Sequence, residues 1–353
     1  MQIIFRVDSS NKIGAGHINR CIHLAKELRI LKKAKIVFFC KKLKGNFNYL
    51  IKKNNFAVTI FPEKKGMISK DIRSSHFKRW RNEIQKNEIN FIKKKLKKNI
   101  SFIFVDHYGL DFVWEKGVKE LTNKVVVIDD IGDKKHFCNY YINFHNYLSR
   151  KKLKMNLINK DTKILNDYKY TLVSKKIKLR LKKNKRKNVF IYLGSTDKKN
   201  MTYKLLQCLK NEYFKKFKFK VLIGMNNNNF KKIYNLTKNS NNISIFKKQI
   251  KNFDNYYKKI DNTITAGGVT MYESILFGFR PLVITQNKFQ EKSSSDLIKK
   301  RIIKKIHFKK DKTNEILSAL NTNKNFYEHR SLTNRLFRFK NGARNIINYL
   351  NIL

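Results

Sequence analysis

Cysteine is scarce: Cys21, Cys40, Cys138 and Cys208 stand far apart in 353 residues, without a C-x-x-C pair. That excludes a disulfide-built scaffold and leaves buried, reduced thiols, as expected of a cytoplasmic protein. Long apolar runs are missing as well. Lysines interrupt every hydrophobic segment before it approaches the roughly 20 residues of a membrane-spanning helix. The amino terminus, Met1-Gln2-Ile3-Ile4-Phe5-Arg6, enters a strand pattern directly, with no apolar h-region of a signal peptide. No G-x-x-x-x-G-K-[ST] loop occurs, which argues against a P-loop ATPase or GTPase. Acidic side chains are few, 25 against 80 Lys and Arg, giving a formal net charge of +55.

Such a charge invites a nucleic-acid reading. The lysines, however, are dispersed, in Lys93-Lys94-Lys95, Lys175-Lys176 and Lys304-Lys305 alike, with no detachable basic tail. Solvated helix faces are the preferred explanation, and no specific nucleic-acid partner is expected. The basic surface would still draw in an anionic small molecule and hold the protein weakly on an acidic membrane surface.

With 41% hydrophobic residues the chain can bury two ordinary cores. Apolar, β-rich runs at 3–7, 35–39, 57–61, 101–106 and 124–128 alternate with helical patterns, the signature of a parallel sheet covered by helices. Residues 175–187 form a lysine-rich stretch that reads as a linker. A second series follows at 189–193, 219–223, 243–246, 262–265 and 281–285. The expected fold is α/β, two Rossmann-like, doubly wound domains (1–174 and 188–353) facing a cleft, the final helix returning to the first domain. Ligands of such sheets sit beyond the carboxyl ends of the strands.

Those ends carry the chemistry. After the first strand comes Asp8-Ser9-Ser10-Asn11-Lys12-Ile13-Gly14-Ala15-Gly16-His17, where two glycines allow a tight turn into a helix that starts near an imidazole. The positive field of a helix start favours the neutral ring, the form a general base uses. Asp106-His107-Tyr108-Gly109 follows another strand. Asp129 and Asp130 follow the next; a pair of carboxylates could serve as acid and base or hold a metal, but capping a helix or bracing the domain interface is the preferred expectation. In the second half, Leu193-Gly194-Ser195-Thr196-Asp197 offers a backbone nest for phosphate. Thr265-Ala266-Gly267-Gly268-Val269-Thr270-Met271-Tyr272-Glu273 brings a helix start to a strand end, so that a diphosphate would rest on the 268–270 amides with Glu273 near a ribose.

Together these pieces resemble the UDP-2,4-diacetamido-2,4,6-trideoxy-β-L-altropyranose hydrolases of pseudaminic acid biosynthesis, relatives of sugar-nucleotide glycosyltransferases of the GT-B fold. The match runs in order from Arg6-Val7-Asp8 and Gly16-His17-Ile18-Asn19-Arg20-Cys21 through Val105-Asp106-His107-Tyr108-Gly109 and Ile128-Asp129-Asp130. It continues in Leu193-Gly194-Ser195-Thr196-Asp197, Ala266-Gly267-Gly268 with Glu273, and Gln290. The resemblance implies a GT-B-like fold and hydrolysis of a UDP-sugar without metal or cofactor, inverting the anomeric carbon; a monomer is expected. By the same matching His17 activates water, and Asp8, Gly14, Gly16, Asp106, Tyr108 and Gln290 contact the sugar. Gly194, Ser195, Gly267, Gly268, Val269 and Thr270 would hold the nucleotide phosphates, and Glu273 the ribose.

Three departures stand out. Gly194 is a single glycine where the family usually has two, and Phe289-Gln290 replaces an Asn-Gln pair. Extra residues lie near 64–98 and in 325–353, including Asn341-Gly342-Ala343-Arg344. Two alternatives stay open: a GT-B glycosyltransferase passing a sugar from UDP to an acceptor, since His17 can deprotonate an alcohol as readily as water, and a polyanion-binding protein.

Overall fold

In a computed structural model, residues 1–62, 79–96, 99–122, 124–173, 187–247, 257, 259–308, 312–321 and 341–352 are described. The lysine-rich stretch at 175–187 (all but residue 187) and much of the additional sequence near 64–98 and 325–353 lie outside these residues.

The chain divides into two compact units, Met1–Leu172 with Asn341–Leu353, and Val173–Lys340. The first begins with β1 (Gln2–Val7), α1 (Gly16–Lys32), β2 (Lys35–Cys40), α2 (Asn48–Lys53) and β3 (Ala57–Ile60). It continues with α3 (Asn82–Lys95), β4 (Phe102–Asp106), α4 (Phe112–Gly117), β5 (Val125–Ile128), β6 (Tyr140–Ile142), α5 (Arg150–Met155) and β7 (Lys163–Leu165). Its seven strands run in the order β3-β2-β1-β4-β5-β6-β7, all pairs parallel. Strands covered on both faces need apolar side chains at successive positions, and β5, Val-Val-Val-Ile, is buried throughout. Phe5 pairs in register with Phe38 and Phe104, and its ring stacks on both at 5.0 and 4.8 Å.

The second unit contains β8 (Asn188–Tyr192), α6 (Met201–Leu209), β9 (Lys218–Ile223), α7 (Phe230–Thr237) and β10 (Ile243–Lys247). After these come β11 (Asn262–Ala266), α8 (Val269–Phe277), β12 (Leu282–Ile284), α9 (Lys288–Lys299), β13 (Lys304–Lys305) and α10 (Lys312–Asn321). Its six strands are ordered β10-β9-β8-β11-β12-β13, again parallel. A last helix, α11 (Gly342–Tyr349), belongs to the first unit, where Arg344 Nε donates to the buried Glu27 at 2.9 Å and Asn345 Nδ2 to the Lys169 carbonyl at 2.7 Å.

In each sheet the order of crossovers reverses once, between β1 and β4 in the first and between β8 and β11 in the second. Chain connections leave such a point in opposite directions, opening a crevice at the carboxyl ends of the two strands. No helix among the described residues is long and apolar enough to cross a membrane.

Candidate active site

At the β1/β4 switch point of the first unit, the turn before α1 is built by its own side chains. Ser10 Oγ accepts the backbone N–H groups of Lys12 and Ile13, and Gly14, at φ +82°, donates its N–H to the Ser10 carbonyl at 2.8 Å. This closed loop delivers His17 into the first turn of α1. From β4, Asp106 meets it: His17 Nδ1 lies 2.6 Å from Asp106 Oδ1.

Arg20, one helical turn after His17, grips the same carboxylate with Nε at 2.6 Å and Nη2 at 2.5 Å, while its Nη1 donates to Asp130 at 2.7 Å. Burial alone would raise the Asp106 carboxyl; the guanidinium and the imidazole together bring it below its ordinary value, so it stays an acceptor. Arg20 Nη2 also lies 3.1 Å from His17 Nδ1, but the ionised Asp106 carboxylate, 2.6 Å from that nitrogen, can only accept a hydrogen bond from it. The Nδ1 proton therefore belongs to the His17–Asp106 bond, which leaves Nε2 as the ring's acceptor. The imidazole side chain is 11% exposed and Asp106 is fully buried.

The ring lines a cavity of about 20 Å³ together with the apolar Ile13, Leu43 and Trp80 and the polar Asp8, Asp106, His107 and Tyr108. About 10–15 Å³ suffices for one water, so this space admits a water beside His17. The Tyr108 ring stands edge-on to the imidazole, centroids 4.6 Å apart, and its hydroxyl donates to Asp130 at 2.8 Å. Burial pushes the phenol well above its usual range, and the Asp130 charge pushes it further, so it remains an O–H donor.

Asp8 and Asp106, expected to contact the sugar, both line the cavity, and each is also paired with neighbouring side chains. Asp8 is wholly buried, pairs with Arg6, accepts the Lys41 N–H at 2.7 Å, and holds His107 Nε2 at 3.1 Å. His107 Nδ1 accepts the Gly109 N–H at 2.9 Å, which fixes the Nε2–H tautomer; burial holds this histidine below its ordinary pKa. Each of these two cavity-lining carboxylates is thus hydrogen-bonded to one histidine of the same cavity. Asp129 and Asp130, expected to cap a helix or brace the domain interface, cap no helix among the described residues. Asp129 accepts the N–H groups of Ile131 and Gly132 in its own loop and faces His136 at 3.3 Å. Asp130 joins Arg20, Tyr108 and His145, the last at 3.2 Å. Among the described residues no cluster of His, Cys, Asp and Glu is arranged to hold a metal.

Sequence reasoning missed Arg20 as a site residue and Trp80 altogether. Arg20 carried a signal, its i+3 spacing from His17 on one helix face. Trp80 did not: it reaches the cavity because Gly109 has no side chain, a Cβ there falling 2.5 Å from the indole nitrogen.

In the second unit the motif residues gather at the β8/β11 switch point. Gly194, at φ +100°, follows β8, and Gly268 caps α8; a Cβ added to either meets no atom within 4 Å. Both backbones therefore face open space, and the Val269 and Thr270 amides in the first turn of α8 have no partner within their own helix. Gln286 ties the loops together, its Nε2 donating to the Leu193 carbonyl at 2.5 Å while its N–H meets Gln290 Oε1 at 2.8 Å. Gln290 lies beside Gly267, whose added Cβ would come 3.1 Å from the glutamine Cβ. It thus stands with the Gly194 and Gly267 loops of the second unit. Asp197 caps α6 through the N–H groups of Met201 and Thr202, fixing the loop that contains Ser195. Glu273 is half-buried on α8; desolvation pushes the partly buried Tyr192 phenol above its ordinary range, and the Glu273 charge pushes it further.

No protein-family model matches the chain. It is 28% identical over 335 residues to an uncharacterized protein of Methanocaldococcus jannaschii, a match covering 91% of this chain and 63% of that one. It is 25% identical over 302 residues to the UDP-2,4-diacetamido-2,4,6-trideoxy-β-L-altropyranose hydrolase of Campylobacter jejuni, covering 85% of this chain and 97% of the relative. Among solved structures, MurG of Acinetobacter baumannii superposes with a TM-score of 0.64 at 11% identity, over 100% of this chain and 99% of its own. MnaA of S. aureus, solved with UDP, gives 0.61 at 10% identity, over 100% and 97%. The fold is accordingly GT-B-like, two Rossmann-like domains built on parallel sheets of seven and six strands.

Proposed function

We propose that the protein hydrolyses a UDP-linked 2,4-diacetamido-2,4,6-trideoxy sugar to the free sugar and UDP, without a metal, within a pseudaminic acid-type pathway. The observation that carries this reading is the His17–Asp106 pair beside a cavity with room for one water. Asp106 holds the Nδ1 proton, and Nε2 accepts a proton from the water as its oxygen attacks the anomeric carbon. The bond from that carbon to the diphosphate oxygen breaks, and UDP departs with the electron pair through an oxocarbenium-like transition state.

The first unit supplies the base and sugar contacts from Tyr108, Gly14 and Gly16. The second supplies the nucleotide contacts: amides of Gly267, Gly268, Val269 and Thr270, the Gly194–Ser195 turn, and Glu273 on the ribose hydroxyls. Amides at a helix start stabilise the charge gathering on a diphosphate and make a divalent ion dispensable. Similarity to the Campylobacter hydrolase over most of both chains supports the substrate class. The same base serves a second reading, transfer of the sugar to an acceptor alcohol, since His17 can deprotonate an alcohol as readily as water. Incubation of EDTA-treated protein with a panel of UDP-sugars and no acceptor separates the two: release of UDP from the diacetamido-trideoxy donor is expected, and release only on adding an acceptor contradicts hydrolysis.

A further inference from the structure

Arg20 has no role in the reaction as written, yet it is the most heavily engaged side chain around His17. Its guanidinium is buried, covers both oxygens of Asp106, reaches Asp130 with its remaining nitrogen, and lies over the Phe144 ring at 5.6 Å. A carboxylate bound to a histidine normally does two things: it orients the ring and it stabilises the imidazolium. A guanidinium forked onto the same carboxylate leaves the first effect and weakens the second, because the imidazole then faces a nearly neutral pair.

We propose that Arg20 is a positioning residue that uncouples these effects, letting Asp106 fix the His17 tautomer while withholding the field that would keep the ring protonated. The other charged or titratable groups facing the ring are Tyr108 and His107 on the segment after β4, Asp8 after β1, and Asp130 after β5 with His145 against it. None of them covers Asp106; Cys21 Sγ does donate to its Oδ2 at 3.3 Å, but burial and the Asp106 charge push that thiol well above its ordinary range, so it stays neutral. Arg20 is shared between Asp106 and Asp130, so removing Asp130 alone gives the guanidinium wholly to Asp106.

The inference rests on the reading of His17 as a base, but its test needs no substrate. Nitrogen-15 NMR of the histidine side chains is followed against pH in the free wild-type protein and in Arg20→Gln. Because Arg20→Gln strands two buried carboxylates, the double variant Arg20→Gln/Asp130→Asn is measured beside it. In both, the pH at which the His17 ring changes signal is expected to rise by one unit or more, the effect of an uncancelled carboxylate within about 4–6 Å. The ring should remain the Nδ1–H tautomer at high pH. Asp130→Asn alone should shift the change the other way. A His17 titration unmoved in the folded double variant overturns the proposal and makes Arg20 a purely structural ion-pair partner; loss of the Nδ1–H tautomer overturns it as well.

Discussion

His17 and Asp106 are 89 residues apart in the chain and share a 2.6 Å hydrogen bond across the switch point of the first sheet. The bond selects the ring nitrogen that can take a proton, so its loss should be felt in turnover. Asp106→Asn is expected to lower kcat about 10²–10⁴-fold, by allowing the wrong tautomer, while UDP affinity stays within twofold. Steady-state kinetics with calorimetry on the same sample checks both; a decrease of less than tenfold in kcat removes Asp106 from the role.

Gly268 faces open space, so a methyl group there collides with a ligand and with nothing in the protein. Gly268→Ala should cost less than about 1 kcal/mol of stability, the range for an N-cap exchange, and should weaken UDP binding at least tenfold. Denaturant titration and calorimetry read the two effects separately. Equal UDP affinity in the variant would take the diphosphate away from α8.

Glu273→Ala should weaken binding of UDP and of uridine by about 1–3 kcal/mol, the range for hydrogen bonds to a charged group. A glutamate that serves only the helix surface gives unchanged calorimetry.

His136 lies between Glu115 at 2.6 Å and Asp129 at 3.3 Å. Burial opposes its charge, but the two carboxylates raise it to about 10; Asp129, which burial alone would raise, is drawn down to about 2 by His136 and its other partners. A raised histidine contributes its full stability below its unfolded value near 6.5 and loses it as pH climbs through 10. A lowered aspartate contributes above its unfolded value near 3.9 and loses it as pH falls through 2. Urea midpoints should therefore decline from pH 7 to 10, and His136→Gln should flatten that decline while losing about 3–5 kcal/mol at pH 6. A variant with the wild-type slope contradicts the assignment.

The strands with four or more consecutive apolar positions, such as Val125–Ile128, were legible because two buried faces leave no alternation to confuse. Tyr140–Ile142 and Lys163–Leu165 were not, since three residues carry no period, and Lys304–Lys305 reads as surface charge. His17 was legible from the glycines before it. The partners of Arg20 were not: Asp106 and Asp130 lie 86 and 110 residues away, and local spacing says nothing about pairs made across a sheet. For the same reason the pairing of Asp106 with His17 and of Asp8 with His107 could not be read from the sequence.

The central claim is that water, activated by His17, attacks the anomeric carbon of a UDP-sugar. Turnover of the diacetamido-trideoxy donor in oxygen-18 water, without acceptor and with EDTA present, tests it directly through the mass of the released UDP, in wild-type protein and in His17→Ala. The account predicts unlabelled UDP from the wild type, because the carbon–oxygen bond breaks, and a 10²–10⁴-fold slower release from the variant. Labelled UDP, dependence on an added metal ion, or a His17→Ala rate within tenfold of wild type would contradict it.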